Sequence, residues 1–186
     1  MGKKVLVLAG GPREKTGQTW ILLRQLVKGV EGKGGRARVF NLNDPGFRGC
    51  QGCFHCRTHP DCAVKDILTP FYDEIADASG VVFASPIYFA DITGQAKMGV
   101  DRMFPMLDGM SFSPRYPGKK AVTIFSQGDA NAERFRPAID RLEGLVQTLG
   151  WQIIRTLLSA GVGTPDHQTP ESLMRDAMLA GEELAG

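Results

Sequence analysis

Few of the signals that place a chain outside the ordinary globular class occur in these 186 residues. A bilayer span needs about 20 consecutive apolar residues, and the amino end offers only six apolar or small ones between Lys4 and Gly11. That run is also too short for a secretion signal, and Leu6 stands where a myristoylation motif needs Ser or Thr. The chain is therefore expected to work in the cytoplasm, with no membrane partner. An excess of one charge is missing too. Lys and Arg number 22 against 20 Asp and Glu, which gives no reason to expect a nucleic-acid partner. Histidine is scarce: the three present form no evident Ser-His-Asp or Cys-His arrangement, so nucleophilic catalysis has little support. Repeats and low-complexity tracts are absent, and the length suits one domain over residues 1–186.

What is present is alternation. Residues 3–9 (KKVLVLA) form a continuous apolar run, as expected of a strand buried on both faces of a parallel sheet. Similar runs recur at 36–42, 80–85, 120–126 and 151–157. Between and after them, segments 18–30, 69–78, 94–104, 137–149 and 169–184 read as helices, the first and fourth with apolar residues at helical spacing. Five βα units of this kind predict a three-layer α/β sandwich with right-handed crossovers. Two stretches break the pattern: 44–64, with every cysteine, and 105–118, rich in Pro, Gly, Met and aromatics. Irregular segments of that length inside a compact domain are usually functional or disordered, and the apolar 103–116 stretch is expected to cover a ligand or contact another subunit.

The first strand leads through Gly10-Gly11-Pro12-Arg13-Glu14-Lys15-Thr16-Gly17-Gln18-Thr19 into a helix. Backbone N–H groups at a helix start, two hydroxyls and Arg13 together suit a phosphate dianion. The spacing is wrong for a Walker loop, Gln18 stands where its lysine belongs, and the G-x-G-x-x-G fingerprint is absent, which disfavours ATP and tightly bound NAD. An ordinary βα turn with Thr16 or Gln18 near the cap is the bland alternative. The third strand leaves by Ser85-Pro86-Ile87-Tyr88-Phe89 at the same edge, where a doubly wound sheet reverses and ligands bind. An aromatic, hydroxyl-bearing segment there suits a flat heterocycle, although Tyr88 and Phe89 are also compatible with plain surface or dimer contacts.

These two loops, with Gly94-Gln95-Ala96-Lys97 and Asp101-Arg102, resemble the NADPH-dependent FMN reductase family over about residues 3–155. The resemblance implies a flavodoxin-like fold with a five-stranded parallel sheet in the order 2-1-3-4-5. It implies FMN with its phosphate on Arg13, Thr16, Gln18 and Thr19 and its ring against Pro86, Ile87, Tyr88 and Phe89. Ser126, Gln127 and Gly128 would supply a third flavin-side loop, Ser85 lies at the base of the second, and NAD(P)H would be a transient co-substrate. Gly11 departs from the family, which often has Ser there. Asp101 and Arg102 read as a solvated face or a structural ion pair.

All four cysteines lie in Cys50-x2-Cys53-x2-Cys56-x5-Cys62. Three thiolates on one tight loop and a fourth to close the cage suit a cubane 4Fe-4S cluster. A four-thiolate zinc site usually joins two CxxC knuckles through a longer insertion, and metal-free thiols, including a reactive Cys53 and Cys56 pair, stay open. His55 and His59 read as loop residues, and Phe54 as a shield or a packing residue. The pattern is similar to that of the iron-sulfur flavoproteins, a branch of the same family. That likeness implies a ferredoxin-like redox partner and a homo-oligomer, a dimer or tetramer, and it keeps open an electron carrier without its own NAD(P)H turnover.

Overall fold

The computed structural model describes residues 2–164 and 167–186, so Met1, with which the amino-end reading and the expected domain begin, lies outside it. Strands β1 (Lys4–Ala9) and β2 (Arg36–Asn41) pair in parallel, as do β3 (Ala78–Tyr88), β5 (Lys120–Ser126) and β6 (Gln152–Ser159), in the order β2-β1-β3-β5-β6. The expected 2-1-3-4-5 sheet is thus present. A sixth strand was not anticipated: β4 (Asp91–Ile92) pairs antiparallel with the end of β3, Ile87 opposite Ile92 and Tyr88 opposite Asp91. The loop expected after the third strand is therefore a hairpin from Ile87 to Ile92.

Both faces of β1 are apolar because both are covered. Leu6 and Leu8 join Phe71, Phe125 and Leu142 on one side, while Val5, Val7 and Ala9 join Leu22, Leu26 and Leu184 on the other. Helices α2 (Thr69–Glu74), α3 (Gly94–Asp101) and α4 (Arg136–Thr148) belong to the first side, and α1 (Gln18–Gly32) and α5 (Glu171–Ala185) to the second. Each fully buried Leu or Phe contributes about 1.5–3 kcal/mol of transfer free energy, so the two layers carry the fold. Helix α2 stops at Glu74 and α3 at Asp101, earlier than the expected ends at 78 and 104. Residues 104–106 turn as a separate short 3-10 segment behind Met103.

Helices α1 and α5 cross at two glycines. A Cβ on Gly29 would lie 2.0 Å from the Met178 carbonyl oxygen, and one on Gly181 would lie 2.0 Å from that of Leu26. The backbones touch where no side chain fits.

The opposite edge of the sheet is held by charge. Glu74 at the end of α2 takes Lys4 of β1 at 2.9 Å and Arg38 of β2. Burial on its own would raise the Glu74 pKa, but the hydrogen bonds from Lys4 and Arg38 outweigh it and hold the carboxyl below its ordinary value. A carboxyl depressed in the folded state stabilises above its unfolded pKa, about 4.3, and that contribution disappears as pH falls through the folded value. Glu74→Gln should therefore lose about 0.5–1 kcal/mol near neutral pH and nothing at the acid end, read as urea midpoints across pH 2–7. A constant difference at every pH would show that the charge is irrelevant.

Candidate functional site

The carboxyl ends of β1, β3, β5 and β6 meet at one edge. Gly10 donates its N–H to the Ala84 carbonyl at 2.8 Å, Gln127 to that of Ser159 at 2.9 Å, and Val162 to that of Gln127 at 2.9 Å. Two adjoining hollows open there. One is lined by Gly11, Pro12, Arg13, Gly17, Gln18, Thr19, Pro86, Tyr88 and Ser126. The other, of about 250 Å3, is lined by Arg13, Pro86, Ile87, Tyr88, Ser126, Gln127, Gly128 and Val162. Arg13, Pro86, Tyr88 and Ser126 belong to both.

Local chemistry explains the shape of the first loop. Arg24 on α1 binds the carbonyls of Glu14 and Lys15, and the Trp20 ring N–H donates to the Gly11 carbonyl at 2.7 Å. Gly17 closes the loop with an N–H bond to the Arg13 carbonyl at 2.7 Å. Helix α1 begins with no side-chain cap and no acidic residue in its first turn, so its positive end is uncompensated, as an anion site requires. A Cβ on Gly11 would lie 2.8 Å from the Thr19 hydroxyl and 3.3 Å from the Trp20 ring. The Thr19 hydroxyl, with the Trp20 ring behind it, therefore leaves little room for a side chain at Gly11.

The second loop is built on a buried hydroxyl pair. Thr93 donates in both directions: its N–H to Ser85 Oγ at 3.0 Å, and its hydroxyl to the carbonyl of Gly10, just past β1, at 2.8 Å. The same hydroxyl caps α3 by accepting the Ala96 N–H at 3.1 Å. Ser85, 2 % exposed, thus braces the loops and lines neither hollow. Thr16 is exposed and Phe89 points outward at the hairpin tip, and neither lines a hollow. Phe89 and Ala90 both have positive φ, 49° and 67°, which gives the two-residue turn a twist matching its strands. Arg141 on α4 holds this hairpin through Asp91 at 2.8 Å.

Gln127 is buried. Its amide N–H2 donates to the Asp129 and Asn131 carbonyls at 3.0 and 2.7 Å, while Oε1 has no partner among the described residues. A buried acceptor left open beside an apolar wall suits a heterocycle that carries N–H donors. The uncapped helix start, the open acceptor and the Pro86, Ile87 and Tyr88 wall together fit a phosphorylated flavin. Val162, in the loop after β6, was missed by sequence reading because nothing local marks it. It is brought in by its backbone bond to Gln127.

The cysteine segment lies on the α2 side of the sheet. Cys50 and Cys53 are exposed and Cys56 and Cys62 half-buried, all free. Burial pushes the Cys56 thiol up; its own backbone hydrogen bond opposes, and neighbouring Cys62, Cys50 and Cys53 add to the rise. Among the described residues no group of three or more ligating side chains is gathered tightly enough to hold a metal ion. The donor set suits a thiolate-held cluster, and loading it requires the loop to draw its sulfurs inward. His55 pairs with Asp61 at 2.9 Å and stacks on His59, so both remain loop residues. Phe54 is exposed, under the Arg57 guanidinium.

The 103–116 stretch lines neither hollow. Met103, Pro105 and Met106 are buried in the core instead, which removes the expected flavin cover, while Met110 and Phe112 stay exposed.

Comparison with known proteins matches residues 3–162 to the NADPH-dependent FMN reductase family. The chain is similar to iron-sulfur flavoproteins of Methanocaldococcus jannaschii, 29 % identical over 67 % of this chain and 64 % of that one, and of Clostridioides difficile, 31 % over 82 % and 65 %. It thus spans just under two thirds of each. Among solved structures, a NAD(P)H:quinone oxidoreductase from Methanothermobacter marburgensis superposes with a TM-score of 0.75 at 18 % identity, covering 100 % of this chain and 98 % of that one. An FMN-dependent NADH-azoreductase from Bacillus anthracis gives 0.70 at 13 %, covering 98 % of both. A WrbA-like flavodoxin from Agrobacterium tumefaciens gives 0.64 at 15 %, covering 100 % and 96 %. These likenesses show the flavodoxin-like fold. No helix among the described residues is long and apolar enough to cross a membrane.

Proposed function

Because this chain belongs to the NADPH-dependent FMN reductase family, we propose that it is an FMN-dependent oxidoreductase of the cytoplasm that takes electrons from NAD(P)H and passes them to an acceptor, with a 4Fe-4S cluster on its cysteine loop. The observation that carries this is the meeting of three loops in adjoining hollows that share Arg13, Pro86, Tyr88 and Ser126. Arg13, the Thr19 hydroxyl and the N–H groups at the start of α1 would hold the phosphate, with Gln18 and Thr16 at the rim. Pro86, Ile87 and Tyr88 supply an apolar platform, and Gln127 with Gly128 and Val162 closes the far side. Bound FMN supplies hydride acceptance and can release electrons singly or in pairs.

This sparse polar lining is sufficient for that chemistry, because hydride transfer to a flavin needs no dedicated acid or base. Tyr88, 44 % exposed, stands at the open rim, where a nicotinamide or a flat acceptor has access. Cys50, Cys53, Cys56 and Cys62 would hold the cluster, which supplies one-electron transfer. The exposure of Cys50 and Cys53 favours a second reading, an electron carrier reduced by a ferredoxin-like protein without its own NAD(P)H turnover. Assembly as a homo-oligomer belongs to both readings.

The test is an absorption spectrum of protein purified without oxygen, with FMN, iron and acid-labile sulfide assayed on the same sample. The expected result is one FMN and about four iron atoms per chain, with the flavin band bleached by NADPH or NADH. Bleaching by reduced ferredoxin alone supports the carrier, flavin without iron a plain reductase, and zinc without flavin overturns the proposal.

A further inference from the structure

Arg102 sits just past the end of α3 and is 1 % exposed. Its guanidinium donates to three acceptors outside its own element: the Arg48 carbonyl at 2.9 Å, the Val64 carbonyl at 2.9 Å and the Asp66 carboxylate. Asp66, whose side chain is 3 % exposed, also accepts the Arg48 N–H at 3.2 Å and the Leu68 N–H at 2.9 Å. Tyr72 completes the set by donating its hydroxyl to the Arg102 carbonyl at 3.0 Å. Arg48 and Val64 are the residues that bracket segment 49–63, which carries all four cysteines. One planar fork thus ties together the two ends of the cysteine segment. A buried guanidinium is tolerated only when paired and hydrogen-bonded in this way, and the single ammonium of lysine cannot reach three acceptors laid out for a fork.

The other end of α3 is tied just as firmly. Thr93, its cap, binds both Gly10 and Ser85 at the flavin-side edge. Helix α3 has 8 residues, a rod about 12 Å long. Between the tied ends the cysteine segment lies at the surface: Cys50 and Cys53 are exposed and its three-residue 3-10 turn has no buried residue, although the Arg57 backbone in that turn packs closely on Gly109.

We infer that Arg102 is a positioning residue: it closes the base of the cysteine segment and sets it at the length of α3 from the flavin-side loops, with the cysteines between the two ends presented toward the surface. The closure itself is read from hydrogen bonds that need no occupant. Only its purpose, a fixed spacing between two redox groups, rests on the proposed function.

Hydrogen exchange on the full FMN-loaded, metal-free chain tests it first. The Arg48 amide and those of 65–68 should be protected to a degree comparable with α3, while amides of 50–60 exchange fast. In Arg102→Lys, and in Arg102→Met combined with Asp66→Asn, exchange at the two ends and the reaction of Cys56 and Cys62 with a thiol reagent should each accelerate at least about tenfold. FMN affinity should stay within about twofold, the two sites being separate. Ends that exchange as fast as the interior in the unaltered protein overturn the inference, as do folded variants with unchanged rates. If the variants do not fold, exchange in the unaltered protein decides. Iron and sulfide uptake on reconstitution is measured separately: an unaltered chain that takes up neither overturns the cluster and leaves the closure standing.

Discussion

Arg13→Ala is expected to weaken FMN binding about 10- to 100-fold, the loss of one charge-assisted hydrogen bond of about 1.5–3 kcal/mol, while the affinity for riboflavin changes little. Arg13 lines both hollows at the start of α1, and its contribution to the loop itself is made by its carbonyl, which accepts the Gly17 N–H. Alanine keeps that backbone bond, so the loop should retain its shape and lose only the charge. Flavin fluorescence titrations with FMN and riboflavin on the same variant separate the two contributions. Equal weakening of both flavins would place the ring, not the phosphate, against Arg13. The loss with FMN should also shrink as salt rises, because the site is open to solvent and its Coulomb attraction is screened.

The largest stability effect is expected from Gly181→Val. The Leu26 carbonyl oxygen would lie 2.0 Å from the new Cβ, and the atoms behind it, Leu26 C and Val30 N, at 2.9 Å. All three are helix backbone, so no rotamer change relieves the clash, and α1 and α5 must separate. Overpacking of a rigid contact costs about 3 kcal/mol, which for a domain of this size lowers the melting temperature by about 6–12 °C. Gly144→Ala on α4, where nothing lies within 4 Å of an added Cβ, is the control and should be neutral or stabilising. Thermal melts of both variants suffice, and a Gly181→Val protein that melts with the parent would show that the two helices do not meet as described.

The closeness of α1 and α5 was not legible in the sequence. Gly29 and Gly181 lie 152 residues apart, and neither shows more than a glycine inside a helical pattern. The same holds for Arg102. In sequence it reads as one charge beside Asp101, and the two share no fate: Asp101 pairs with Lys97 on the surface, whereas Arg102 turns inward to Asp66. Ser85 and Phe89 show the converse limit. Their residue types suit a ligand site, but burial made one a brace and the hairpin made the other an exposed tip, because a two-residue turn points its side chains away from the strands it joins.

What the sequence determined by itself was everything carried by short-range pattern. The apolar runs with no alternation required a sheet covered on both faces, and the regular passage from strand to helix required parallel pairing with crossovers. The loop from Gly10 to Thr19 opens a helix whose first turn carries no acid, and the spacing of four cysteines within one segment is a local fact that no fold can alter. Tertiary structure decided which of those residues face one another. It brought Val162 and Gln127 to the edge that Arg13 and Pro86 share, and it buried Met103, Pro105 and Met106 while leaving Met110 and Phe112 exposed. It also placed a guanidinium from the end of α3 at the base of the cysteine segment. Hydrophobic pattern sets the period of each element, whereas a buried charge or a bare glycine is resolved only by the distant partner it meets once the layers have packed.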